Sequence, residues 1–271
     1  SMTYLLAKNI TATVTYYDVM DFPLTAFEIW KHLLEYDRER PALTAPVKLS
    51  EVWKVLHSGQ LSGKVSEKNG LYFLNGREAL IAKRIQSEKL SVGKLKRMRR
   101  LASVLAFVPY LRMVGATGSL AMKNGVKGSD WDMFVVLKSG KIWIGRTILT
   151  LFLHGIGKRR HGKKVSNRAC LNYFVTDDNL EIATKDLFSA HEYRFLITLL
   201  SFPLFQIFEL KNRWIKTYKP NFTPTLLPGL WLVKETDLSG RVRGIFEHVF
   251  DFFDGEAWLR SWQQKKIERN P

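Results

Sequence analysis

Two aspartates, Asp130 and Asp132, flank Trp131 and follow a Gly118-Ser119 pair after a spacer of ten residues. In a strand, residues i and i+2 face the same way, so this spacing predicts paired carboxylates on one face. Such hard anionic oxygens suit Mg²⁺ or Mn²⁺ shared with substrate phosphates. Gly118-Ser119 predicts a turn before a short helix, offering backbone amides and a hydroxyl to phosphate oxygens. Metal held by the pair would activate an attacking hydroxyl and offset charge on a departing pyrophosphate. An Asp-x-Asp pair alone is common on protein surfaces. The order is far more specific: strand, Gly-Ser, helix, Ser129-Asp130-Trp131-Asp132, then the apolar run Met133-Phe134-Val135-Val136.

That order resembles the DNA polymerase β-like nucleotidyltransferase superfamily in its minimal form, over roughly Arg112 to Asp178. The resemblance implies that Gly118 and Ser119 hold a triphosphate and that Asp130 and Asp132 ligate metal. Ser129, which also stands before the first aspartate in the family's pattern, is counted with the nucleotide-binding residues. The family has a third carboxylate on the next strand. Here that strand reads Cys170-Leu171-Asn172-Tyr173-Phe174-Val175, and the aligned position is Asn172. Asn172 offers a carbonyl but no charge. Asp178 is the alternative if the strand continues, with Asp177 pointing the other way. One-metal chemistry or a silent domain are the remaining options.

The elements that must position these residues read as an α+β protein. Lys8 to Met20 carries an apolar helical stripe. Thr25-Ala26-Phe27-Glu28 has the capping-box spacing, opening a helix with Ala26, Ile29, Trp30, Leu33 and Leu34 on one face. After a polar loop from about Asp37 to Lys48, Ser50 is expected to cap a third helix. Asn69-Gly70 between two short strand-like runs predicts a tight hairpin. Three helices and a hairpin predict a winged helix-turn-helix over residues 2–80, a fold that lays one helix in a DNA groove. A basic helical connector is expected over 81–110, a nucleotidyltransferase core over 111–190 and a helical C-terminal region over 191–271. Within the core, strands are expected at 112–116, 131–137 and 169–175, with a helix at 141–155. The later part predicts helices through Tyr193, Phe195, Leu196, Leu199 and Leu200, then over 204–218 and 240–253.

The charge narrows the partners. Lysine and arginine number 42 against 25 acids, a net +17, a balance that draws polyanions. After Glu78, as far as Arg100, the cations run Lys83, Arg84, Lys89, Lys94, Lys96, Arg97, Arg99 and Arg100 against Glu88 alone. Lys94, Lys96, Arg97, Arg99 and Arg100 are the candidate nucleic-acid contacts there, joined by Lys158, Arg159, Arg160, Lys163 and Lys164 before the third strand. Gly157 to Lys164 superficially fits a P-loop. Lys164 stands where Ser or Thr should hold Mg²⁺, however, and the segment follows a helix rather than a strand.

Other chemistries lack their patterns. His32, His57, His154, His161, His191 and His248 show no metal-ligand spacing with the single cysteine, Cys170. No Gly-x-Ser-x-Gly elbow occurs. One cysteine excludes an internal disulfide and fits a reducing cytosol. No secretory leader is recognisable, so a cytoplasmic location is expected. The apolar stretches 147–156 and 195–208 are short for a membrane span and are expected to form buried helices. The function expected is transfer of a nucleoside monophosphate from an NTP or dNTP to a hydroxyl, the 3′ end of a DNA or RNA strand. The alternatives are transfer to a protein or small molecule, or a non-catalytic winged-helix regulator that binds nucleic acid.

Overall fold

The computed structural model describes residues 2–36, 46–252 and 255–269, so most of the expected polar loop from Asp37 lies outside the described residues. In chain order the elements are α1 (Met2–Asp18), β1 (Leu24–Thr25), α2 (Ala26–Lys31), α3 (Leu49–Leu56), β2 (Val65–Lys68), β3 (Leu71–Leu74) and α4 (Leu80–Leu105). Then come β4 (Leu111–Ala116), α5 (Gly118–Ala121), β5 (Trp131–Leu137), α6 (Ile142–Gly155) and β6 (Ala169–Thr176). The chain finishes with α7 (Leu187–Arg194), β7 (Ile197–Leu200), α8 (Phe202–Lys211), a 3₁₀ turn (Arg213–Thr217), α9 (Asp237–Asp251) and α10 (Glu256–Arg269). The architecture is mixed α+β. No helix among the described residues is long and apolar enough to cross a membrane.

Two compact units divide the chain, and neither is continuous in sequence. The first comprises the described residues of Ser1–Lys89 with Ala183–Arg194 and Asn212–Pro224. Its local signals act as expected. The Thr25 hydroxyl accepts from the Glu28 amide at 3.1 Å while the Glu28 carboxylate accepts from the Thr25 amide at 2.9 Å, closing the capping box. Asn69 and Gly70 both take positive φ, 56° and 76°, and join β2 to β3. β1 pairs with the other edge of β3, giving the sheet order β1-β3-β2. The third helix starts two residues earlier than expected: Lys48, not Ser50, is the N-cap, and its amide donates to the Glu51 carboxylate at 2.7 Å.

The late segments join this unit through polar groups that need partners. Asn221 accepts from the Val47 amide at 2.9 Å and donates to the Trp30 carbonyl at 2.7 Å. The fully buried Lys219 ammonium donates to the Tyr17 hydroxyl at 3.1 Å, which also lies 3.3 Å from His191 Nδ1.

The second unit comprises Leu90–Ile182, Phe195–Lys211 and Thr225–Pro271 (its described residues), and is built on a four-stranded sheet ordered β6-β5-β4-β7. β5 and β6 run parallel, joined by the α6 crossover; β4 is antiparallel to both β5 and β7. Leu95, Met98, Leu105, Trp131, Val135, Leu149 and Leu199 are among the buried side chains of its core. α4 is one unbroken helix whose first ten residues count with the first unit and the rest with the second.

Four expectations are corrected here. Ile197–Leu200 is a strand, not a helix: an apolar run this short has no decisive periodicity, and the open edge of β4 supplies hydrogen-bond partners. Of the two apolar stretches, therefore, only the first is a single helix, as far as Gly155, with Ile156 as its C-cap. Pro203 falls in the first turn of α8, where proline is tolerated, and α8 stops at Lys211 before the separate 3₁₀ turn. The C-terminal region is not purely helical, nor a unit of its own. It also contains α10, which periodicity did not reveal.

Candidate active site

Asp130 and Asp132 sit at the start of β5, half-buried, while Trp131 between them turns into the core at 1% exposure. The two-residue period therefore places both carboxylates on one side. The turn after β4 is tied to them, because the Thr117 amide donates to the Asp132 carbonyl at 3.0 Å. Gly118 follows with φ +64°, and a Cβ there would lie 2.5 Å from Asp132 Oδ2. Glycine is thus required twice over, by its left-handed backbone and by the carboxylate against it.

β6 completes the arrangement. Its register pairs Asp132 with Cys170 and Met133 with Leu171, then skips to Phe134 with Tyr173. Asn172 is the extra residue of a β-bulge, a device that re-aims side chains beside functional sites. Its Nδ2 donates to Asp132 Oδ1 at 2.6 Å, and its Oδ1 accepts from Cys170 Sγ at 2.8 Å. Ligand atoms of Asp130, Asp132 and Cys170 lie within 4.8 Å of one another. Cys170 was missed in the sequence as a candidate ligand. Its signal is that it stands two residues before Asn172, hence on the same strand face.

Arg160 closes the group from the loop after α6. Its Nη1 donates to Asp130 Oδ2 at 2.6 Å and to Cys170 Sγ at 3.5 Å. Burial and the neighbouring Asp130 charge raise the Asp132 carboxyl above its ordinary value, opposed by Asn172 and Arg160. Burial likewise raises the Cys170 thiol. A half-buried acid pair that holds a guanidinium beside it is a charge arrangement a divalent cation would relieve. The donor set fits one: two carboxylates supply hard oxygen, and Cys170 adds a softer sulfur that tilts preference from Mg²⁺ toward Mn²⁺ or Zn²⁺.

The other expected site residues fall in different places. Ser129 is adjacent, but its hydroxyl accepts from the Val126 amide at 2.9 Å, bracing the turn before Asp130. Ser119 lies in the first turn of α5, a helix of four residues. Asp178 is corrected as a metal ligand. It lies beyond Thr176, which pairs with Leu137, roughly 17 Å along the strand from the Asp132 level at 3.3 Å per residue. There Asp178 accepts from the Ser139 hydroxyl at 2.6 Å, and Asp177 accepts from the Ser139 amide at 2.8 Å.

Lys94 is corrected too. It is 5% exposed, and its ammonium donates to the Lys127 and Ser129 carbonyls at 2.9 and 2.5 Å, so it holds the loop leading into Asp130. Lys96, Arg97, Arg99 and Arg100 are exposed on α4; Arg97 reaches Asn167 Oδ1 at 3.2 Å and Arg99 the Leu232 carbonyl at 3.4 Å. In the loop, Lys158, Lys163 and Lys164 are exposed and Arg159 half-buried, with Lys158 also 5.9 Å from the Trp131 ring centroid. A bridge between His161 and Lys164 folds this loop into a tight turn.

No protein-family model matches the chain, and neither the curated proteins nor the solved structures contain a match.

Proposed function

We propose that the chain is a metal-dependent nucleotidyltransferase that transfers a nucleoside monophosphate from an NTP or dNTP to a hydroxyl, with a nucleic-acid 3′ end as acceptor. The observation that carries this reading is the convergence of Asp130 and Asp132 beside the positive-φ turn at Gly118. Asp130 and Asp132, with Cys170 or the Asn172 carbonyl as a further donor, would hold Mg²⁺ or Mn²⁺. The metal, when bound, supplies activation of the acceptor hydroxyl and neutralisation of phosphate charge.

The chain's own residues do the rest. The turn at Gly118-Ser119 positions the triphosphate, because no side chain at 118 separates backbone from ligand. In the transfer, the acceptor oxygen forms a bond to the α-phosphorus, the bond to the β-phosphate oxygen breaks, and pyrophosphate leaves. Arg160, which neutralises Asp130 now, is placed to turn toward phosphate oxygens once a cation takes over that role. The winged helix-turn-helix reading of the first unit rests on its order of three helices and hairpin with the sheet β1-β3-β2, and it supports a nucleic-acid acceptor.

Protein incubated with Mg²⁺ or Mn²⁺, labelled nucleotides and DNA or RNA primers should extend the primer. Asp130→Asn with Asp132→Asn should abolish extension while leaving the melting profile intact. Parent-like activity in that double variant would sink the assignment. One observation favours a second reading, a nucleic-acid-binding regulator without turnover: neutral Asn172 stands where the third carboxylate is expected. Salt-dependent duplex binding with no metal-dependent transfer would select it. A labelled protein band without primer extension would instead point to a protein acceptor.

A further inference from the structure

A cavity of about 360 Å³, lined in part by Arg160 and Cys170, lies between α6, the loop after it and β6, the strand that pairs with the edge of β5 opposite β4. That volume is at the small end of ligand sites. Its polar lining is cationic: Arg146 and Thr150 come from α6, and Arg159, Arg160 and His161 from the loop. No carboxylate among the described residues lines it. Arg146 is the telling residue. It is half-buried, its guanidinium carbon stands 5.2 Å from the Phe174 ring centroid, and no acid pairs with it among the described residues.

Burying a charge without a counter-ion is unfavourable, and here the penalty is compounded by neighbours of like sign. Burial and then the Arg159 charge hold Arg146 below its ordinary value. His161, exposed in the loop, is lowered as well, by slight desolvation and by the charges of His154, Lys164, Arg168 and Arg159. Fold stability alone gives no reason to gather such groups around a void; a multiply charged anion does. Planar guanidiniums bind phosphate oxygens in pairs, and Thr150 adds a hydroxyl.

We infer that this cavity is a phosphate-binding subsite, with Arg146 and Arg159 as its principal receptors and Arg160 shared between it and Asp130. β4, which leads into the Gly118 turn, and β6, which lines the cavity, pair with opposite edges of β5, so the cavity lies across the aspartate strand from the turn expected to hold the donor triphosphate. The phosphate it takes is therefore one of the acceptor strand. Only that last assignment rests on nucleotidyl transfer; the anion site itself needs neither Asp130 nor Asp132.

Calorimetric titration in EDTA separates the two. Inorganic pyrophosphate should bind the parent, and Arg146→Gln or Arg159→Gln should each weaken it about tenfold, the scale of one lost charge-assisted contact. Lys96→Gln and Arg100→Gln remove the same charge from α4 and should change it less than about twofold. Arg146→Lys should restore part of the affinity. Arg159→Gln, in the loop, tests the site even if Arg146→Gln disturbs α6.

Oligonucleotides of one sequence with a 5′-phosphate or 5′-hydroxyl, and ATP, identify the source. A phosphate-dependent gain for the strand that Arg146→Gln removes supports an acceptor phosphate. The same gain confined to ATP keeps the site and overturns its acceptor assignment. Absence of metal-free pyrophosphate binding, or equal losses in the α4 variants, overturns the site. Primer extension that persists in such a case would leave the nucleotidyltransferase reading standing.

Discussion

At the scale of residues, the aspartate pair works through its three contacts: Gly118 behind it, Asn172 beside it and Arg160 across it. Gly118→Ala should be strongly damaging, because its Cβ would meet Asp132 Oδ2 and its backbone would be left-handed. A loss of about 1–3 kcal/mol is expected, with weakened Mn²⁺ binding, read by denaturant unfolding and by Mn²⁺ titration. Asn172→Asp has the opposite sign for metal. It adds charge to the ligand set, and ligand charge raises cation affinity, so Mn²⁺ should bind about tenfold tighter. Equal Mn²⁺ affinity in Asn172→Asp and the parent would place position 172 outside the coordination sphere. The Asp130-x-Asp132 pair was legible in the sequence, since strand period places i and i+2 together. Cys170 and Arg160 were not read as its partners, because register across 38 residues and a loop fold bring them there.

Among the elements, α4 and α6 show how a helix acquires its role from outside itself. The cations of α4 look equivalent along the sequence, yet Lys94 turns inward while Lys96 and Arg100 face solvent. Lys94→Met should cost about 1–3 kcal/mol by leaving the Lys127 and Ser129 carbonyls short of their charged donor. It should leave the salt dependence of nucleic-acid binding unchanged. Lys96→Ala or Arg100→Ala should instead lower the salt slope by about one each with little effect on stability, if those side chains meet phosphates.

α6 has no side-chain cap of its own. Glu256 of α10 supplies one, accepting from the Trp143 and Ile144 amides, both at 2.9 Å, where the helix dipole favours an anion. Glu256→Ala should lower stability by about 1 kcal/mol in urea unfolding. A loss below a few tenths would mean that Gln263, which donates to the Trp143 carbonyl and Thr147 hydroxyl, holds α10 alone. Local caps such as Thr25 and Glu28 could be read directly. This one joins residues 113 positions apart and could not.

For the molecule as a whole, charge and protonation set the conditions under which it works. With a nucleic-acid acceptor as proposed, the net +17 predicts an affinity that falls steeply with salt. The first unit also carries a pH dependence of its own. Burial and then Lys219 depress His191 to about 3 from its ordinary 6.5, so on acidification the unfolded chain takes the proton first. This stabilising contribution is complete above about pH 6.5 and is lost as pH falls toward 3. His32, also depressed by burial, acts in the same direction. Lys219 is depressed to about 7 from 10.5, so its contribution rises between those values and is absent below them. His191→Gln should flatten the acid limb of the stability profile relative to the parent, measured by urea unfolding from pH 7 to pH 4. Parallel profiles would remove His191 from the account.

The sequence by itself determined what depends on a few neighbouring residues. These are the same-face aspartates, the capping box at Thr25, the positive-φ hairpin at Asn69-Gly70 and the boundaries of β5. Their physics is local: side-chain period, orphan amides and allowed φ all act within a turn or a strand. Only the tertiary structure decided that Phe195–Leu200 holds a strand, that the Asn172 bulge faces Asp132, and that Lys94 braces a loop. It also decided that Asp178 sits at the wrong end of β6. Each depends on a partner far along the chain. Sheet edges, register and buried polar groups find those partners through packing, which no short window of sequence contains.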